Sequence, residues 1–334
     1  MSRHGPIVTP ALDPSAVVAS MRTRIEALGL DLSGLSVVTE AATGAYAVTA
    51  PIAAMAGARV TAFTRPTRHG TAAEAAAETL GLAEAAGVAD RITVTETLDA
   101  AALAQCDILT NSGHLRPITA GTIALLPPRA VIGLMFEAWE FRGLDLDLAA
   151  ARARGIRVAA VNERHPEVGV FDFLGPLAVR QLQDAGCDPD GRRVALLCDN
   201  PFLPHVHAGL EAAGAVTAVA ASADDLPAGP FDAVVVSLDP YRNRPLDAHA
   251  LRTLARKAPR GVLTQFFGDI DRAAAVGTRL SPWPPHAPAR GHMGILLNVL
   301  GPEPIIRLQA GGLRAAEVTL RADGAPDDLV AELL

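Results

Sequence analysis

A run of β-branched and apolar residues, a small-residue turn and an apolar helix recur along this chain, and that rhythm restricts the fold more than any single motif. Residues 35–40 (Leu-Ser-Val-Val-Thr-Glu) read as a strand, 41–45 as a turn and 46–56 as a helix stopped by Gly57. Strands are expected again at 59–64, 92–95, 107–110 and 130–135, with a helix over 71–87. Upstream, Val17, Val18, Met21, Ile25 and Leu28 follow the helical period over 14–29, and Gly29 ends it. Strands that alternate with helices need crossover connections, so they lie parallel in one sheet with helices on its faces.

The rhythm restarts beyond residue 190. Strands at 193–198, 216–220, 233–238 and 261–266, with helices at 203–213 and 247–257, form a smaller copy. Between the copies, Phe171, Leu174, Leu177, Ala178, Leu182 and Ala185 mark one apolar helix face ended by Gly186. At 334 residues the chain exceeds the size at which a single core keeps growing. The expected fold class is α/β, with two Rossmann-like parallel-sheet domains joined by a long linking helix. The expected divisions are 1–165 for domain one, 166–186 for the linking helix, 187–290 for domain two and 291–334 for a C-terminal segment. After a proline-dense loop at 281–288, that segment reads as a helix at 292–300 and strand-like runs at 305–308 and 317–320.

Composition agrees: half the residues are hydrophobic but only 4% are aromatic, which suits close packing of small aliphatic side chains between helix and sheet. A net charge of -7 with dispersed arginines provides no basic face for phosphates, so no nucleic-acid partner is expected. No stretch offers about 18 uninterrupted apolar residues, and the opening MSRHGPIVTP lacks the apolar run of an export signal. Neither membrane nor secretion is expected. Cys106, Cys187 and Cys198 show no CxxC or metal-ligand spacing and read as reduced, buried thiols in a cytoplasmic protein.

Parallel α/β sheets bind ligands beyond the carboxyl ends of their strands, which makes strand-end residues the site candidates. Glu40, Thr43, Gly44 and Tyr46 follow the first strand in a turn small enough for close approach to a phosphate or ribose, although it is not GxGxxG and a tight turn needs small residues without any ligand. Arg65 and Arg68 follow the second strand and suit a ribose 2′-phosphate, leaning toward NADP; solvated loop arginines are the plain alternative. Asn111 and His114 follow one later strand and Glu137, Trp139 and Glu140 the next, supplying a histidine and carboxylates for acid–base work. Asn111, Trp139, Asn162 and Glu163 are the substrate-binding candidates, and His114, Glu137 and His286 the catalytic ones. Glu137, Glu140, His165 and Glu167 lack helical His/Glu ligand spacing, so no metal is expected. In the second copy Asp199 and Asn200 are cofactor-binding candidates, yet Pro201 has no N–H and Phe202 is bulky, a poor pyrophosphate cradle.

From Cys106 to about Pro288 the order of segments resembles the D-isomer-specific 2-hydroxyacid dehydrogenase superfamily. The resemblance is carried by residues 130–135 (Ala-Val-Ile-Gly-Leu-Met), Gly143 to Asp147, and residues 151–158 with Asn162. It implies an NAD domain in the second copy and a catalytic histidine at His286, within Trp283-Pro-Pro-His286. The chain departs from the pattern where the dinucleotide glycines belong, reading Cys198-Asp-Asn-Pro-Phe202, and where a substrate arginine belongs, reading Thr264-Gln-Phe-Phe-Gly268. Residues 35–112 also look like pieces of an S-adenosylmethionine-dependent methyltransferase, through Val37 to Glu40, Thr43-Gly44 and residues 87–94. Three readings follow: an NAD(P)-dependent oxidoreductase-like protein acting on a small polar metabolite in an interdomain cleft, a methyltransferase using S-adenosylmethionine, or a dehydrogenase-derived binding protein without turnover. A homodimer is the expected assembly on general frequency.

Overall fold

A computed structural model describes residues 13–322 and 330–334, so the MSRHGPIVTP stretch lies outside the described residues. The chain runs through strands β1 (Ser36–Glu40), β2 (Arg59–Phe63), β3 (Ile92–Thr95), β4 (Ile108–Asn111), β5 (Val131–Leu134) and β6 (Arg157–Val161). It continues through β7 (Arg193–Cys198), β8 (Val216–Ala220), β9 (Ala233–Ser237), β10 (Val262–Phe267) and β11 (Pro282–Trp283), and ends with β12 (Ala331–Leu333). Two compact units result: Phe171–Leu300 forms the second, and the described residues before and after it form the first.

The first unit holds a seven-stranded sheet in the order β12-β6-β5-β4-β1-β2-β3, parallel except for β12 on β6. The second holds five parallel strands in the order β11-β10-β9-β7-β8. Both are Rossmann-like. Strand order reverses between β1 and β4 in the first sheet and between β7 and β9 in the second, and at such reversals two loops diverge and leave a crevice at the carboxyl edge.

The run expected as a separate C-terminal segment instead completes the first unit. Residues 305–308 and 317–320, which read as strand-like, are turns of one helix, Glu303–Arg321. That helix is buried over most of its length, and less buried positions at Glu303, Arg307, Arg314, Val318 and Arg321 recur at helical spacing; the period shows over the whole of 303–321, whereas a four-residue apolar run taken alone cannot be told from a strand. It lies close on β5: a Cβ on Gly312 would come within 2.3 Å of the Met135 sulfur, and one on Gly133 within 3.0 Å of Ala316 Cβ. The helix expected at 292–300 shortens to a single 3-10 turn, Leu297–Leu300. No strand was expected at β6, β11 or β12; the last two are only two and three residues long.

In the second unit, helix Leu174–Asp184 packs on helix Leu203–Ala212. Gly175 and Gly209 form the contact, and a Cβ on Gly209 would stand 2.2 Å from Gly175 Cα. Phe202 is buried beside Phe171, Phe266 and Phe267, with ring centroids 5.3, 6.2 and 5.4 Å away.

Candidate functional site

At the carboxyl edge of the first sheet, polar side chains gather where β1 and β4 part. Glu40 ends β1 and is buried; its Oε2 accepts the His114 N–H at 2.9 Å, so the carboxyl spans the reversal point. Burial raises its pKa against the opposing pull of that hydrogen bond. Behind it, Thr110 donates to the Thr39 hydroxyl at 2.7 Å and lies 3.0 Å from the Ser112 hydroxyl, fixing the two strand ends. Tyr46, half-buried in the turn after β1, has its phenol pushed up to about 12 by burial and by the Glu40 carboxylate, so it keeps its proton at neutral pH.

Asn111 ends β4 and is fully buried. Its Oδ1 and main-chain oxygen each accept from Arg116, at 2.7 Å, while its Nδ2 has no partner among the described residues. A buried amide nitrogen left unpaired costs about 1–3 kcal/mol, which a ligand oxygen or an ordered water would recover. Arg116 and Arg142 share Asp145, at 3.6 and 2.8 Å, and both cover the Phe136 ring. Burial and the neighbouring Arg142 lower the Arg116 pKa.

His114 is half-buried, and its Nδ1 lies 3.3 Å from both Thr64 Oγ1 and the Arg65 main-chain nitrogen. Because the amide can only donate, Nδ1 is assigned as the acceptor and the ring proton as sitting on Nε2. Burial, then Arg65 and His69, hold its pKa below the usual histidine value, so the ring is neutral at pH 7. Arg65 also donates to the Arg116 carbonyl at 3.2 Å; Arg68, exposed, meets His69 at 3.0 Å. Thr43 and the exposed Gly44 complete the turn after β1. Gly44 has φ +62° and open space where a Cβ would go, and its N–H donates to Glu78 at 2.6 Å.

A second group closes the ends of β5 and β6. Glu137 is fully buried and accepts from Trp139 Nε1 (2.6 Å), the Glu163 N–H (3.0 Å) and Arg164 Nε (3.0 Å). Burial raises its pKa, but those donors favour the ionised form, so the protons of the cluster rest on its neighbours. Burial, with help from Glu137, pushes Glu140 up to about 8; burial and both other carboxylates push Glu163 well above the normal range. Asn162 packs at the same edge, its N–H donating to the Val330 carbonyl at 2.8 Å. Among the described residues, no group of three or more His, Cys, Asp or Glu side chains is arranged to hold a metal ion.

These shifts set a pH dependence. A carboxyl whose folded pKa exceeds its unfolded value binds protons more tightly when folded, so its contribution is complete below about 4.5 and is lost as pH rises through the folded pKa. His114 is shifted the opposite way, and its effect ends near 6.5. Unfolding free energy is therefore expected to fall between pH 7 and 8, by up to about 1.4 kcal/mol per unit per group, and Glu140→Gln is expected to flatten that fall. Urea midpoints at the two pH values for both proteins check it; equal slopes would contradict the assignment.

The corresponding edge of the second unit is filled by its own side chains. Asn200 donates to the Ser237 carbonyl at 2.6 Å and accepts the Phe202 N–H at 3.0 Å, and Asp199 accepts from the Asp239 N–H (2.8 Å) and from Asn243 (2.7 Å). Gln265 is held by Gly268 and Arg272, and Arg272 also donates from one terminal nitrogen to the Pro282 and Pro284 carbonyls. His286 is exposed on the proline loop.

The structure thus brings Glu40, Tyr46, Arg65, Asn111 and His114 together through direct or linked contacts, and Glu137, Trp139 and Glu163 into a second group. Asp199, Asn200 and His286 belong to the other unit. Sequence reading missed Arg116, Arg142, Asp145 and Glu78; Arg116 lies two residues beyond His114 in the strand-end loop and was within reach of the same rule, whereas Glu78 arrives from a helix and had no sequence signal.

Among solved structures, the chain is similar to a dipicolinate synthase from Bacillus halodurans, with 11% identity, a TM-score of 0.58, and 87% of this chain and 99% of that one covered. Dipicolinate synthase from Bacillus subtilis aligns with 10% identity and a TM-score of 0.54, covering 89% and 100%. An NAD-dependent formate dehydrogenase from Staphylococcus aureus, in complex with NAD, aligns at 12% identity and a TM-score of 0.46, covering 84% and 93%. The resemblance to the D-isomer-specific 2-hydroxyacid dehydrogenase-like superfamily is a likeness of fold. No family model matches the sequence, and no curated protein matches it. No helix among the described residues is long and apolar enough to cross a membrane.

Proposed function

We propose that this chain is an NAD(P)-dependent oxidoreductase-like protein acting on a small polar metabolite. The observation that carries the reading is His114, whose ring is held neutral with Nδ1 occupied, at the reversal point of a Rossmann-like sheet that also holds the unpartnered Nδ2 of Asn111. A nicotinamide cofactor supplies the hydride when bound; the chain has to bind, orient and manage a proton. In this state the His114 ring offers a hydrogen bond from Nε2 that polarises a substrate carbonyl. Glu40, whose burial favours the protonated form, accepts the His114 main-chain N–H at Oε2 and so holds the loop that carries the ring. Asn111 Nδ2 anchors an acceptor oxygen, and Arg65 and Arg68 suit a 2′-phosphate and so NADP. Beside Arg116 and Arg142 in the chain, a hollow of about 370 Å³ lined by Pro117, Ile118, Phe141 and Leu144 offers apolar contact to a flat ring. The proposal includes a homodimer working in the cytoplasm.

A second reading, binding without turnover, is favoured by one feature: the Gly44 N–H that a phosphate would need is already bonded to Glu78. S-adenosylmethionine gains no support from the similar folds. Thermal unfolding with NADPH, NADH or S-adenosylmethionine decides among these. NADPH is expected to raise the midpoint, since a ligand at a hundred times its Kd stabilises by about 2.7 kcal/mol. His114→Gln is expected to keep that rise and to lower turnover by about a hundredfold. A rise with neither nicotinamide cofactor contradicts the oxidoreductase reading, and a rise with no hydride transfer to any small carbonyl compound favours the binding protein.

A further inference from the structure

Each unit has its own reversal point, and the two differ in what fills the turn after the first strand of each sheet. At β7 and β9 the amide and carboxylate side chains of the turn are taken, and a buried hydroxyl, Ser237 Oγ, has no partner among the described residues. The Asn200 amide reaches the Ser237 carbonyl with its nitrogen and the Phe202 N–H with its oxygen, tying the two strand ends directly. Both oxygens of Asp199 are taken, by the Asp239 N–H and by Asn243. Pro201 brings no N–H, and the Phe202 ring fills the space under the turn against Phe171, Phe266 and Phe267. A pyrophosphate entering there would have to break these bonds and would meet the Asp199 carboxylate, a like charge.

At β1 and β4 the turn itself is open. Asn111 Nδ2 is fully buried and unpartnered, the His114 Nε2 proton is not used in any bond among the described residues, and Gly44 is exposed with no atom within 4 Å of where its Cβ would stand. Two exposed arginines, Arg65 and Arg68, follow the neighbouring strand β2. Two carboxyls stand at this edge: Glu78, an exposed helix side chain that can turn away from Gly44 at small cost, and the buried Glu40, whose burial favours the uncharged form.

We infer that the nucleotide binds at the β1–β4 edge of the first unit and that the second Rossmann-like unit holds none, its sheet serving as a packed scaffold. This rests on the oxidoreductase reading above. It assigns the adenosine part, through its ribose phosphate, to Arg65 and Arg68, and an acceptor oxygen of the ligand to Asn111.

Photolabelling of the full chain with an azido-adenine analogue of NADP, competed by excess NADP and mapped by peptide mass spectrometry, tests it. The expected label falls within residues 40–70 or 111–116, and Arg65→Ala with Arg68→Ala is expected to reduce it at least tenfold, while Asn200→Gly leaves it in place. Competable label within 198–205 or 237–243 overturns the inference and leaves the oxidoreductase reading standing. No competable label anywhere overturns both.

Discussion

Replacing Glu137 with alanine is expected to destabilise the protein by about 2–3 kcal/mol, because the substitution removes a fully buried acceptor shared by the Glu163 N–H, Trp139 Nε1 and the exposed Arg164 guanidinium. The three donors, Trp139 Nε1, the Glu163 N–H and Arg164 Nε, lie at 2.6, 3.0 and 3.0 Å from its carboxyl, and the side chain is fully buried. Glu137→Gln keeps the shape and one acceptor but turns an N–H₂ toward a donor, so an intermediate loss is expected. Glu137 was a catalytic candidate in the sequence, and this experiment separates the two roles. Denaturant midpoints of both variants check it. If Glu137→Ala stays within about 1 kcal/mol of the parent while turnover disappears, the residue acts on substrate rather than on the fold.

Gly209→Ala is the second large effect. The added Cβ would stand 2.2 Å from Gly175 Cα and 2.7 Å from its carbonyl carbon, and backbone atoms cannot turn aside as a side-chain tip can. The helices must separate, which places the cost at or above the upper end of the about 1–3 kcal/mol seen for overpacking. Gly81→Ala is the control: it lies in helix Ala72–Ala86, and nothing stands within 4 Å of its Cβ position. That variant is expected to gain up to about 1 kcal/mol from helix propensity. Equal midpoints for the two variants would show that the helix crossing is looser than described.

Strand and helix alternation made the two sheets legible before any coordinates, because a 2-to-3.6 change in apolar period is local and survives without tertiary context. Glu40, Asn111 and His114 were legible for a related reason: each follows an apolar strand, and the rule that ligands meet strand ends needs no contact information. What escaped was set by long-range packing. Residues 305–308 and 317–320 are short runs rich in β-branched and apolar residues inside one long helix, whose period, marked by Arg307, Arg314 and Arg321, spans more residues than either run. The C-terminal return to the first unit follows from the same helix seating on β5 and β6. Glu78 reaches Gly44 across 34 positions of sequence, and the stitching of Asp199 to Asp239 and Asn243 spans 40 and 44. No spacing rule along the chain links such pairs. The poor cradle at Pro201 and Phe202 was visible in the sequence; that Asn200 is tied to Ser237, and Asp199 to Asp239 and Asn243, was not.

Calorimetric titration of NADPH into the purified full chain tests the central claim most directly, since affinity and stoichiometry come from one experiment. Saturable binding of one molecule per chain is expected, weakened at least tenfold by Arg65→Ala with Arg68→Ala. Two molecules per chain, or binding indifferent to those arginines, would contradict the assignment to the first unit, and no binding of NADPH or NADH would contradict the proposed function itself.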